Sequence, residues 1–185
     1  HERVGVRQPV DRPVADEVHE GLAEAEHAHG RQRYRRRPVA EIREHTAELD
    51  GQPVFWRSAP ATDGGPPVLY VHGVPTNADL WTPFLARTGG LAVDLPGFGR
   101  SGKRGDLDYS VPGYARFLER FLELVEVDAV RLVCEDWGAA ALGWAQEHPQ
   151  RVARLVLIDA VPLIAGHRWH RIARAWRTPV LGELA

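Results

Sequence analysis

The segment from Ala129 to Gln146 constrains this chain more than any other. The apolar run Ala129 to Val133 (AVRLV) passes into Cys134-Glu135-Asp136-Trp137-Gly138 and then directly into Ala139 to Gln146 (AAALGWAQ). The first stretch reads as a buried parallel strand, and the last as a helix with small residues in its first turn. The chain must therefore reverse from strand to helix within a few residues, with Asp136 at the centre of the turn. Backbone in so sharp a turn is strained, and the positions two before and two after its centre must be small to avoid clashes. Cys134 and Gly138 meet that requirement.

The same alternation recurs upstream and downstream. Arg43 to Leu49 and Pro53 to Ser58 flank Asp50-Gly51-Gln52, and Asp-Gly between β-rich runs signals a hairpin. A Pro/Gly loop from Ala59 to Pro67 precedes a strand from Val68 to Val71, and Asp79 to Ala86 reads as a short helix capped near Asn77 or Asp79. Leu91 to Leu95 is a further strand. Between Tyr109 and Val125, Tyr114, Phe117, Leu118, Phe121, Leu122 and Val125 form the stripe of an amphipathic helix, whose aromatics are read as core packing. A helix from Ala139 to Glu147 and a strand from Ala153 to Ile158 follow. This order predicts an α/β fold with a mostly parallel sheet wound by right-handed crossovers.

Two other stretches invite a chemical reading and lose it on inspection. Gly97 to Lys103 (GFGRSGK) has the glycines and lysine of a phosphate-binding loop, but Arg104 replaces the hydroxyl that would hold Mg²⁺, and Gly105, Asp108 and Pro112 postpone the helix. Ser101 is not framed as Gly-x-Ser-x-Gly and reads as a turn or capping serine, and Asp94 as a structural cap at its strand end. Asp136 could itself be a helix N-cap. The joint presence of His72-Gly73, the Pro96 to Gly99 turn and Trp137 favours a nucleophile instead. Glu135 is expected to point elsewhere around the turn and is given no role.

Three motifs in order carry a family resemblance: Val68 to Pro75 (VLYVHGVP), Asp94 to Gly102 (DLPGFGRSG), and the Asp-Trp-Gly turn followed by Ala145 to Asp159 (AQEHPQRVARLVLID). Over roughly Thr46 to Ala185, at about the specificity that three ordered motifs allow, the chain resembles the α/β-hydrolase superfamily. Within it, the likeness is to the branch with an aspartate nucleophile, the haloalkane dehalogenases and epoxide hydrolases. The resemblance implies that Asp136 attacks an sp³ carbon and forms an ester that water later cleaves. It implies backbone oxyanion donors at Val74 and Trp137, with His72, Gly73 and Pro75 supporting the loop, and an indole N–H of Trp137 aimed at a departing halide.

Val74 departs from the many haloalkane dehalogenases that carry Asn there, since Val offers no side-chain donor. Epoxide hydrolases instead have an apolar residue and then Pro after His-Gly, as here. Both substrates therefore stay open, with a non-catalytic small-ligand binding or interaction module as the alternative class. The resemblance also places an acid and then the catalytic His after later strands, beyond Ala185, where a cap would begin. His148, His167 and His170 read as surface or cap residues. The expectation is a hydrolase fragment, 39–163 being the N-terminal part of the core and 164–185 the start of a cap, capable at best of alkylating itself.

The remaining bounds are broad. A chain of 185 residues with 44% hydrophobic content can bury one real core, and a net charge of −2 calls for no polyanionic partner such as nucleic acid. A single cysteine rules out an internal disulfide and suits a reducing cytoplasm, and no apolar run nears the ~20 residues of a membrane span. No motif calls for a metal or an organic cofactor; a small-molecule substrate is the expected partner, and no oligomeric state is assigned. Residues 1–38, with the basic run Arg31 to Arg37 and little apolar periodicity, read as a tail or a mis-assigned start outside the core, the more so because the chain begins with His and has no Met. Phosphate binding by those arginines is the weaker alternative.

Overall fold

A computed structural model describes residues 40–162 together with Gly166, Arg168, Arg171 and Arg174. The expectations for the N-terminal 38 residues, and for a cap over 164–185 apart from those four positions, lie outside the described residues. The strands are β1 (Arg43–Leu49), β2 (Gln52–Ala59), β3 (Val68–Val71), β4 (Gly90–Val93), β5 (Val130–Glu135) and β6 (Val152–Ile158). The helices are α1 (Thr82–Thr88), α2 (Val111–Leu124) and α3 (Ala141–Glu147). The six strands form one sheet in the order β1-β2-β4-β3-β5-β6. β3 pairs in parallel with β4 and β5, and β5 with β6, whereas β1–β2 and β2–β4 are antiparallel.

Local chemistry accounts for the boundaries. Asp50 and Gly51 both take positive φ, 52° and 77°, as a two-residue hairpin turn of this twist demands. That turn places Leu49 opposite Gln52, so β2 begins one residue earlier than the expected Pro53. The predicted helix at Asp79 divides instead into a 3₁₀ turn, Ala78–Trp81, and α1, because Pro83 suits a first helical turn and has no N–H to continue an earlier one. Asn77 caps the 3₁₀ turn by accepting from the Asp79 N–H at 2.8 Å. Ser110 caps α2 through the Gly113 N–H, with Pro112 in the first turn, which sets its start two residues later than Tyr109. β4 stops at Val93 because Asp94 turns its side chain to the loops described below.

The sheet carries apolar side chains on both faces. Leu69, Val71, Val93, Leu132 and Cys134 pack with Phe117, Leu118, Phe121 and Trp144 of α2 and α3. Tyr70, Ala92 and Val68 pack with Trp81 and Leu85 on the opposite face. The aromatics at Phe117 and Phe121 are core residues, as their helical spacing predicts. β6 forms one edge, and Leu155, Val156, Leu157 and Ile158 along it are exposed. Among the described residues no helix is long and apolar enough to cross a membrane.

Candidate active site

Register brings two loops together at the C-terminal ends of the central strands. Val71 pairs with Cys134, so the chain leaving β3 at His72-Gly73 runs beside the chain leaving β5 at Glu135-Asp136. Asp136 takes φ 48°, a left-handed conformation that costs a non-glycine residue about 1–3 kcal/mol and is held only where its surroundings impose it. A 3₁₀ turn, Asp136–Ala140, then leads into α3.

Close approach explains the small residues around this turn. A Cβ on Gly138 would lie 2.4 Å from the Val71 carbonyl oxygen and 2.9 Å from that of His72. A Cβ on Gly73 would meet Asp136 Cβ at 2.4 Å and Glu135 Oε2 at 2.8 Å. Cys134 is fully buried beneath the turn, and burial pushes its thiol up to about 12, so it is packed as a small apolar side chain and not as a reactive thiolate.

The acidic side chains face the loop after β3. The Val74 N–H donates to Asp136 Oδ1 at 2.9 Å, and the Gly73 N–H donates to Glu135 Oε2 at 3.0 Å. Glu135 therefore does not point away, contrary to the expectation from sequence. In a regular strand successive side chains alternate faces, but the left-handed residue at 136 breaks the alternation and turns both carboxylates to one loop. Burial raises the Glu135 carboxyl above the usual range, and the nearby Asp136 and Asp159 add to the rise, against the Gly73 hydrogen bond.

His72 braces this loop from below. It is completely buried, its Nε2 accepts from the Leu95 N–H at 3.0 Å, and its Nδ1 bonds the Gly73 carbonyl at 2.8 Å. An acceptor at Nε2 fixes the proton on Nδ1. Burial lowers the His72 basicity and keeps the ring neutral against the opposing influence of the Gly73 carbonyl and Asp94. The Gly73 carbonyl also accepts from the Thr76 N–H at 3.1 Å and its hydroxyl at 3.0 Å, and the intervening Val74–Pro75 bond is cis.

Asp94 and Ser101 are structural, as expected. Asp94 is fully buried; its two carboxylate oxygens accept from the Ala78 N–H at 2.6 Å and the Arg100 N–H at 2.7 Å, tying two loops to the end of β4. Ser101 Oγ donates to the Asp94 carbonyl at 2.6 Å and accepts from the Phe55 N–H at 3.0 Å. The Gly97 to Lys103 stretch is thus a braced turn, and α2 starts well after it.

An open cleft of about 460 Å³ is lined by Val74, Gly97, Phe98, Lys103, Tyr109, Tyr114 and Trp137, of which Val74 bonds Asp136 and Trp137 follows it in the chain. Sequence reasoning placed Val74 and Trp137 at the site but took Tyr114 only as part of the core stripe. Tyr114 is almost fully buried in that stripe, yet its hydroxyl donates to the Pro96 carbonyl at 3.2 Å and accepts from the Trp137 indole N–H. Burial, with Tyr109 nearby, pushes its phenol up to about 12 despite the Trp137 bond, so it stays protonated. A tyrosine at helical spacing carries no sign that it will do both. Among the described histidines other than His72, His45 stacks on Trp56 and bonds Ser58, and His148 faces Glu119 and Trp144.

Residues 66–183 match the family described as alpha/beta hydrolase fold, and the chain belongs to that family. Its likeness within the family is to haloalkane dehalogenases. It is 37% identical over 131 residues to a haloalkane dehalogenase of Mesorhizobium japonicum, covering 64% of this chain and 42% of the relative. One from Bradyrhizobium diazoefficiens is 31% identical over 164 residues, covering 77% and 52% respectively. The solved structure of haloalkane dehalogenase DbeA from Bradyrhizobium elkani USDA94 superposes with a TM-score of 0.66 at 30% identity, over 77% of this chain and 53% of that one. The chain spans about half or less of the length of these curated relatives.

Proposed function

We propose that Asp136 is the nucleophile of a haloalkane-dehalogenase-like hydrolase and that this chain carries the ester-forming half of the reaction. The observation that carries the reading is the 2.9 Å bond from the Val74 N–H to Asp136 Oδ1 in a residue forced to positive φ. With Oδ1 held, Oδ2 is the oxygen that attacks. Its lone pair forms the C–O bond as the C–X bond breaks, and the departing pair leaves as halide toward Trp137, whose indole N–H is a donor suited to an anion once it exchanges the Tyr114 hydroxyl for the halide.

Oδ1 is then the ester carbonyl oxygen, the atom that gains charge when water attacks. Val74 N–H is already bonded to it, and the backbone N–H of Trp137 is the proposed second donor; each such donor is worth about 2.7–4 kcal/mol of barrier. His72 and Gly73 hold this arrangement, and Pro75 shapes the loop. The described histidines are engaged elsewhere, so water activation by a His with its acid partner is assigned outside the described residues. The ester-forming step by itself adds one alkyl group to Asp136.

Incubating the chain with 1-bromobutane, followed by intact-mass and peptide mapping, tests this. One butyl group on Asp136, absent from Asp136→Asn, is expected; labelling that survives in Asp136→Asn would refute the assignment. An epoxide is the second reading, favoured by Val74, whose side chain offers a halide no donor, and by the protonated Tyr114 in the same cleft. Faster labelling by 1,2-epoxybutane than by 1-bromobutane would select it.

A further inference from the structure

Two consecutive backbone N–H groups, of Gly73 and Val74, meet two consecutive carboxylates, of Glu135 and Asp136. The Val74 contact belongs to the proposed chemistry, whereas the Gly73 contact does not. Glu135 is half-buried, and neither of the charges that act on it, Asp136 in its own turn and Asp159 after β6, is basic. An acid placed beside two acids gains nothing from its charge partners. What holds it there is the amide of Gly73, which can approach this closely only because it lacks a Cβ.

We propose that Glu135 is the positioning residue of the site: by holding the Gly73 N–H it sets the loop so that the next N–H, of Val74, falls on Asp136 Oδ1 and leaves Oδ2 free. The inference rests on Asp136 being the nucleophile. Without an acceptor at 135 the Gly73 amide has no partner in the elbow, the loop loses its reference point, and the Asp136 carboxylate loses a fixed rotamer. Misplacement of a reacting group by about 1 Å can cost about 10²-fold in rate.

The test has two readouts on the full 185-residue chain. In ¹H–¹⁵N spectra the Gly73 amide is expected to shift with pH as Glu135 titrates, with a midpoint above 4.5, and to lose that shift in E135Q. In the 1-bromobutane assay, Glu135→Leu is expected to slow alkylation of Asp136 by at least about tenfold. Glu135→Gln, which keeps an acceptor oxygen, is expected to recover most of the loss. A Gly73 amide indifferent to pH, or a folded Glu135→Leu chain that alkylates at the wild-type rate, would overturn the positioning role while leaving the nucleophile in place. Absence of alkylation in the wild type, with the Gly73 amide still titrating, would overturn the nucleophile reading and with it the catalytic meaning of the contact.

Discussion

Replacing Gly73 by Ala puts the shortest distance in the site under strain. The new Cβ would sit 2.4 Å from Asp136 Cβ and 2.7 Å from Asp136 Oδ1. Ordinary carbon contacts are about 3.5–4.0 Å, so the loop and the turn must separate by about 1 Å. Neither side can yield through a flexible tip, because the first clash is with a Cβ anchored to a residue already at φ 48°. The Val74 bond to Oδ1, 2.9 Å in the native chain, cannot survive a separation of that size. Overpacking of this kind costs about 1–3 kcal/mol of stability. For Asp136 as the proposed nucleophile, a 1 Å displacement costs about 10²-fold in its rate. Urea unfolding measures the first, and the rate of Asp136 butylation by 1-bromobutane the second. A Gly73→Ala chain that matched the wild type in both would show that the two loops do not pack as described.

Further outcomes follow from the core and the buried ionisable groups. Phe121, fully buried between Trp56 and Phe117, should cost about 3–5 kcal/mol on truncation to Ala, read as a shift in urea midpoint; a loss under about 1 kcal/mol would refute its central place in the core. His72 is held neutral in the fold with its basicity lowered from 6.5, so the unfolded chain binds more protons below that pH. Stability should be complete above 6.5 and fall as pH drops through and below it, and nitrogen chemical shifts should show the proton on Nδ1. Glu119 accepts from the Trp144 indole at 2.7 Å and pairs with Arg151 at 2.6 Å, and those contacts, the indole first, lower its carboxyl below the usual 4.5. Its contribution is present above 4.5 and is lost as pH falls through its folded value, so Glu119→Gln should flatten that part of the acid unfolding curve; an unchanged curve would show that the contact contributes nothing.

Much of this was legible because the relevant signals are local. Asp50-Gly51 specified its hairpin since few residue pairs tolerate two positive φ angles, and the stripe from Tyr114 to Val125 specified the buried face of α2. Small residues on either side of Asp136 marked the sharp turn, because steric exclusion acts within a few residues of chain. Glu135 was misjudged for a physical reason: its direction depends on the backbone of the residue after it and on an amide 62 residues away, and neither follows from strand alternation. Tyr114 was placed correctly in the core, while its hydroxyl contact with Pro96 came from the packing of α2 against the loop after β4.

Sequence alone determined the order of strands and helices, the turn with Asp136 at its centre, and the family resemblance from which its chemistry is proposed, since each rests on patterns within short stretches of chain. The tertiary structure decided which oxygen of Asp136 is held, which loop amides hold it, and that a second carboxylate shares the same loop. Those facts depend on the parallel register of β3 beside β5, which sets residues far apart in the chain within hydrogen-bonding distance and cannot be read from either segment by itself.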